Sequence, residues 1–209
     1  MELTNTLFQL VVVILSVIIH EVSHGYAALY FGDQTAKRAG RLTLNPLPHI
    51  DPIGSVILPG LLALSGSGVL FGWARPVPVN LDNLTNKKLG SFVVSIAGIA
   101  SNFLIAIVFG LLLRMLTHTG VLSAPLFYAC SVIVITNLGL AIFNMLPIPP
   151  LDGSKIFAAI LPYSVRLYLL QFEQYSFYIG IAFLLFISRF DFISPLIRFL
   201  YGVLVGVGI

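Results

Sequence analysis

The sequence predicts an all-α polytopic membrane protein, with a three-helix core, a re-entrant or β-like segment, and one or two further C-terminal membrane helices. Three observations carry that prediction. The 209 residues are 58% apolar and only 9% charged, with mean hydropathy +1.01, whereas a soluble globular domain carries roughly 25% charged residues. The few charges are spaced so that long uncharged runs lie between them. Pro and Gly cluster between those runs, where turns are needed. A chain this poor in charge cannot coat a water-facing surface, so lipid is its main solvent. That excludes a soluble enzyme, a disordered tail and a disulfide-built secreted module, since Cys130 stands alone. A net charge of +3, scattered along the chain, excludes a nucleic-acid-binding surface.

The elements follow from the gaps between charges. From Glu2 to Asp33 the one formal charge is Glu21, and Leu7 to Ile19 is almost wholly apolar; about 20 such residues span the hydrocarbon. No basic region precedes this run and polar residues follow it in the same helix, unlike a cleavable signal peptide. Leu89–Leu113 is a second span, bounded by Lys88 and Arg114. A third begins near Ala124, after the His118-Thr119-Gly120 turn, and runs toward Asp152. Leu167–Ser188 is a fourth, interrupted by Glu173. Ile193–Ile209 carries Arg198 and reads as either a fifth span or an interfacial helix. Asp51–Arg75 is apolar enough to cross, but Pro52, Gly54, Pro59, Gly60, Gly66 and Gly68 weaken a continuous helix. Arg75-Pro76-Val77-Pro78-Val79 reads as extended chain. The whole chain, 1–209, is expected to form a single membrane domain, with its core at about 5–160 and C-terminal helices at about 165–209.

Lys and Arg placement sets orientation. Lys37, Arg38 and Arg41 follow the first span, which places that side in the cytoplasm and the N-terminus outside. If Asp51–Arg75 dips in and returns, Arg75, Lys87, Lys88, Lys155 and Arg166 join them, leaving Arg114 and Arg189 outside. Charge bias therefore favours the re-entrant form.

Chemistry concentrates in His20-Glu21-Val22-Ser23-His24. Residues i and i+4 share one helical face, so both imidazoles can bind a single Zn²⁺, while the adjacent Glu21 stays free to act on a zinc-bound water. Chance produces this pattern about once in a thousand such sequences. Ionisable groups inside a span cost on the order of 2.5–3.5 kcal/mol each and are retained for function. Two imidazoles leave the metal incomplete. Asp152 is the one acid between Asp82 and Glu173, and it follows a helix broken by Pro147, Pro149 and Pro150. Unwound backbone is tolerated in lipid where it lines a cavity. From spacing alone, Asp152 is either a third ligand or the cap of a helix-terminating turn. His49 opens the re-entrant segment, His118 lies outside, and Asp33 after Gly32 reads as a turn cap. Gly90, Gly98 and Gly110 read as sites of close helix packing.

HEVSH in the first span, Gly40–Pro46, Phe71–Asn80 and Asn144–Gly153 together resemble the site-2 protease family of intramembrane zinc metalloproteases. The likeness is to its short bacterial and archaeal members without PDZ or CBS domains, and it covers roughly residues 10–160. It implies one Zn²⁺ held by His20, His24 and Asp152, with Glu21 as general base. Asn144 matches an Asn placed to hold substrate backbone or the oxyanion, and Asn102 is grouped with it. Where the family commonly has Gly-Pro before that second Asn, this chain has Gly98-Ile99. The implied function is intramembrane endopeptidase: cleavage of a transmembrane or membrane-proximal peptide bond near the cytoplasmic side, in regulated intramembrane proteolysis. The implied substrate is a transmembrane protein or peptide, and Arg75–Asn80 could pair with its extended backbone. The rival readings are a membrane metal transporter or metal sensor using the same His/Asp site, and an idle substrate-binding relative. Glu21 discriminates, because transport needs ligands but no base between them. Topology also bears on the site: only a re-entrant Asp51–Arg75 brings Asp152 to the same membrane face as His20 and His24.

Overall fold

The computed structural model describes residues 2–57, 61, 74–120, 122–161, 174–176, 178–180, 182–183 and 191–206. Six α-helices are traced among them: α1 (Glu2–Tyr30), α2 (Thr35–Arg38), α3 (Lys87–Thr119), α4 (Ala124–Met145), α5 (Asp152–Ile160) and α6 (Ile193–Val205). No strand occurs among the described residues. Helices α1, α3 and α4 are long and apolar enough to cross a membrane; at 1.5 Å per residue even the 22-residue α4 reaches about 33 Å.

Each long helix buries one stripe and offers the rest to lipid. On α1 the buried stripe recurs every fourth residue, Val12, Ser16, His20, His24 and Ala28, while Leu7, Val11, Ile14 and Leu15 point outward. α3 buries Val94, Ser95, Gly98, Asn102, Ala106, Gly110 and Leu113. α4 buries Cys130, Ser131, Val134, Asn137, Leu138 and Ala141. The helix ends follow local chemistry. Asn86 caps α3 by accepting from Leu89 N–H at 3.1 Å, and Gly120, at φ +69°, closes it in the left-handed conformation that glycine adopts without strain. α4 stops at Met145 because Leu146 is extended, as a residue preceding Pro must be. Gly153 then tucks beneath the end of α4, where a Cβ would strike the carbonyl oxygens of Met145 and Leu146.

Cross-helix contacts give the directions. Ser16, His20 and His24 of α1 meet Asn102 and Val94 of α3 in descending order, so those helices are antiparallel. Gln9, Ser16 and His20 meet Tyr128, Asn137 and Asp152 in ascending order, so α1 and α4 run the same way. Thr85 N–H donates to Phe31 O at 2.8 Å. The chain thus leaves α1 and enters α3 at one end of the bundle, and the segment between makes no net crossing. Of Asp51–Arg75, Pro52–Ile57 forms a turn of π-helix, and most of the rest lies outside the described residues.

Away from the His residues, α3 and α4 close an apolar core with α6: Ala106, Leu113, Cys130, Val134, Leu138, Tyr201 and Val205. α6 has 13 residues, about 20 Å, and is too short to cross a core of about 30 Å. It packs as a short helix on α3 and α4. The fourth span expected at Leu167–Ser188 lies largely outside the described residues.

Candidate metal centre and general base

The i, i+4 spacing on α1 brings the two imidazoles together edge to face, with ring centroids 4.7 Å apart. His24 Nε2 and His20 Nε2 are 3.1 Å apart, and each lies 3.0 Å from Asp152 Oδ2. All three residues are buried. Asp152 reaches them because α4 ends abruptly and α5 starts with Asp152 as its first residue, after Leu151 at the N-cap. Lys155 Nζ stands 3.4 Å from the other carboxylate oxygen.

The far ring nitrogens decide whether this donor set fits a metal. His24 Nδ1 donates to the Val94 carbonyl at 2.6 Å, and a carbonyl can only accept. His20 Nδ1 donates to Asn102 Oδ1 at 2.6 Å. In both neutral rings Nε2 is therefore a bare lone pair, and two lone pairs and a carboxylate oxygen converge on one point. That convergence is repulsive without a cation and correct with one. Ligand atoms of a tetrahedral zinc are about 3.3 Å apart for bonds of about 2.05 Å, close to the spacings found here. The residues present fit Zn²⁺.

Glu21 is placed differently from His20, His24 and Asp152. Its Oε2 accepts the Val77 N–H at 2.8 Å, from a segment strapped across this end of the bundle. Arg41, buried, donates to the carbonyls of Arg75 at 2.6 Å and Pro76 at 3.3 Å. Arg75 N–H donates to His49 O at 2.8 Å, and Asn80 N–H to Asp33 Oδ2 at 2.7 Å. Pro76 and Pro78 carry no N–H, so the strap spends its Val77 and Asn80 donors internally and forms no strand. Asp33 caps the α1–α2 turn through Thr35 and also ties Asn80 and Asn83 to it. Burial opposes its ionisation, but these hydrogen bonds prevail and lower its pKa.

The remaining expected residues separate. Asn102 is fully buried, with its oxygen on His20 and its nitrogen on Asn137 Oδ1 at 2.8 Å and Ser16 O at 3.4 Å. Its side chain therefore faces His20 on one side and α4 on the other. Asn144 Nδ2 donates to Leu140 O one turn back. His49 is buried in its loop, bonded through Nε2 to Thr43 O; His118 sits near the far end of α3. Sequence reading passed over two contributors and took a third, Gly98, for a packing glycine. Asn137 and Ser16 join the buried polar group beside His20, and Gly98 lies directly under the imidazoles: a Cβ there would sit 2.5 Å from His24 Nε2. Their signal was present as register. Ser16 is one turn before His20 on the same face, and Asn137 is an amide inside a lipid-length helix.

Comparison with known proteins agrees with this geometry. Residues 117–187 match peptidase family M50. A Bacillus subtilis protein named "Putative zinc metalloprotease YwhC" is 40% identical over 176 residues, covering 81% of this chain and 76% of that protein. Two mycobacterial relatives bearing the same designation, both called Rip2, are 32% identical: that of Mycolicibacterium smegmatis over 67% of this chain and 52% of its own length, and that of Mycobacterium tuberculosis over 72% and 54%. This chain thus spans about half the length of the Rip2 proteins. No solved structure matches. With 40% identity across four-fifths of its residues, and the family match falling on the helices that deliver Asp152, the chain belongs to peptidase family M50, the site-2 protease family of zinc metallopeptidases.

Proposed function

We propose that this membrane metallopeptidase is an intramembrane endopeptidase. It cuts a transmembrane or membrane-proximal peptide bond near the cytoplasmic face of the cell membrane, as a step of regulated intramembrane proteolysis. The observation that carries the reading is the division of labour on α1: His20 and His24 aim their free lone pairs at Asp152, while Glu21, between them, is held by a backbone N–H instead. Among the described residues no second His, Cys, Asp or Glu cluster accompanies this one, as a transport path would require.

His20, His24 and Asp152 would hold the metal, which supplies a Lewis acid and a water of lowered pKa. Val77 N–H fixes one Glu21 oxygen and leaves the other to take the water's proton and deliver it to the departing amine. Asn144, at the end of α4, is proposed to contact substrate backbone or the developing oxyanion. A peptide bond inside a helix is already hydrogen-bonded and shielded by its own turn, so a helical substrate must unwind locally before its carbonyl is reachable. The N-terminus lies outside, and the whole chain acts as one membrane domain. The test is purified protein in proteoliposomes with membrane-spanning peptides of varied sequence, the products being mapped by mass. Cleavage within or just below the apolar segment is expected; cleavage confined to soluble peptides would overturn the reading. Cysteines at positions 87 and 118 should label from the cytoplasm and from outside respectively, and labelling of both from one side would overturn the orientation.

A further inference from the structure

Four polar side chains lie in a row inside an otherwise apolar three-helix contact: Ser16 and His20 from α1, Asn102 from α3 and Asn137 from α4. Ser16 is 4% exposed and both asparagines 0%. An amide buried at lipid depth is costly unless every group is bonded. Here each contact has a defined direction, which can be read from its far end. Asn137 Nδ2 lies 2.9 Å from the Ile133 carbonyl, which can only accept, so the nitrogen must face it. The same nitrogen donates to Ser16 Oγ at 2.9 Å. Asn137 Oδ1 is then turned toward α3, where it accepts from Asn102 Nδ2 at 2.8 Å. A second acceptor-only group, the Ser16 carbonyl, lies 3.4 Å from that Nδ2 and enforces the same orientation. Asn102 Oδ1 is left facing His20, and accepts its Nδ1–H at 2.6 Å. Only the tautomer with a bare Nε2 satisfies this chain.

We infer that Asn137 is a positioning residue for the metal centre: acting through Asn102, it fixes the tautomer and ring orientation of His20 from a helix that contributes no ligand of its own. The inference rests on the zinc site proposed above. His24 needs no such relay, because its Nδ1 bonds a main-chain carbonyl directly. His20 depends on side chains, and those on helix carbonyls.

The test is zinc affinity of the purified protein, measured by competition with a chelator. Asn137→Leu should weaken zinc binding by about 10- to 100-fold, as loss of outer-shell partners does, and Asn102→Leu should do the same. The double variant should be no worse than the worse single, because both act along one chain. Asn137→Asp, which keeps an acceptor toward Asn102, should fall between wild type and Asn137→Leu, and it carries the test if the Leu variant does not fold. Ser131→Ala, a buried polar change on the same helix, should leave affinity unchanged. A lowered thermal midpoint in Asn137→Leu with wild-type zinc affinity would overturn the relay, as would additive losses in the double variant. If wild type binds zinc and His20→Ala does not, those failures concern the relay alone. Zinc retained in His20→Ala would overturn the relay and the zinc site together.

Discussion

Helices α3 and α4 are packed in two different ways along their lengths. Toward the end that carries Leu113 and Cys130, the core shared with α6 is apolar, crossed by the buried 2.7 Å hydroxyl pair of Ser131 and Tyr201, with Arg114 Nη1 reaching the Val203 carbonyl at 3.5 Å on the exposed rim. Toward the end that carries Val94 and Ala141, the same two helices press on α1 through Gly98, Asn102 and Asn137. There Asn102 bonds His20, Asn137 and Ser16 reach it through Asn102 and each other, and Gly98 lies against both imidazoles. The apolar half tolerates change as any well-packed core does, by volume. The polar half specifies single atoms, since an amide turned around would present a donor to a donor. One half holds the bundle together and the other holds a metal site within it.

Substitutions in the two halves should therefore fail differently. The largest effect is expected at Asp152. Asp152→Ala removes the one carboxylate reaching both imidazoles, and zinc affinity should drop by more than the about 100-fold reached by outer-shell changes, with the protein still inserted in the membrane. Full zinc occupancy in that variant would merge the two halves into one structural core. Next comes a matched pair on α3. Gly98→Ala places a methyl 2.5 Å from His24 Nε2 and 2.6 Å from His20 Nε2, so zinc affinity should fall at least about tenfold, by displacement of the ligands. Gly110→Ala meets Leu204 Cβ at 2.9 Å. It should cost about 1 kcal/mol of stability, overpacking being set against the helix propensity of Ala, and leave zinc untouched. Equal zinc losses in the pair would break the comparison. No effect on zinc is expected from Ser131→Ala, which strands the Tyr201 hydroxyl at a cost of about 1–2 kcal/mol and should be visible only in thermal unfolding.

The legibility of the sequence divides along similar lines. Apolar runs between charges marked α1, α3 and α4 because lipid imposes length and composition directly. HEVSH was legible because i and i+4 face one way whatever surrounds them, and Asp152 because prolines must end the helix before it. The partners of those residues were not. Asn137 meets Asn102 across 35 positions and Val77 meets Glu21 across 56, and no local pattern encodes which helix faces which. The extended reading of Arg75–Val79 offered this segment as an edge for substrate, and did not anticipate that Val77 N–H is already given to Glu21. Gly98 was read as a packing glycine; what it packs against, the two imidazoles, depends on the antiparallel pairing of α1 and α3.

The central claim is that ligands and base are separate groups on one helix, and Glu21→Gln tests it most directly. Zinc content and cleavage of a membrane-spanning substrate would be measured on the same purified sample, beside wild type. The account predicts one zinc per chain in both proteins and cleavage in wild type alone, since the amide keeps the side chain's size but cannot take a proton. Loss of zinc from Glu21→Gln would make Glu21 a ligand, and undiminished cleavage would place the base elsewhere; either result contradicts the account.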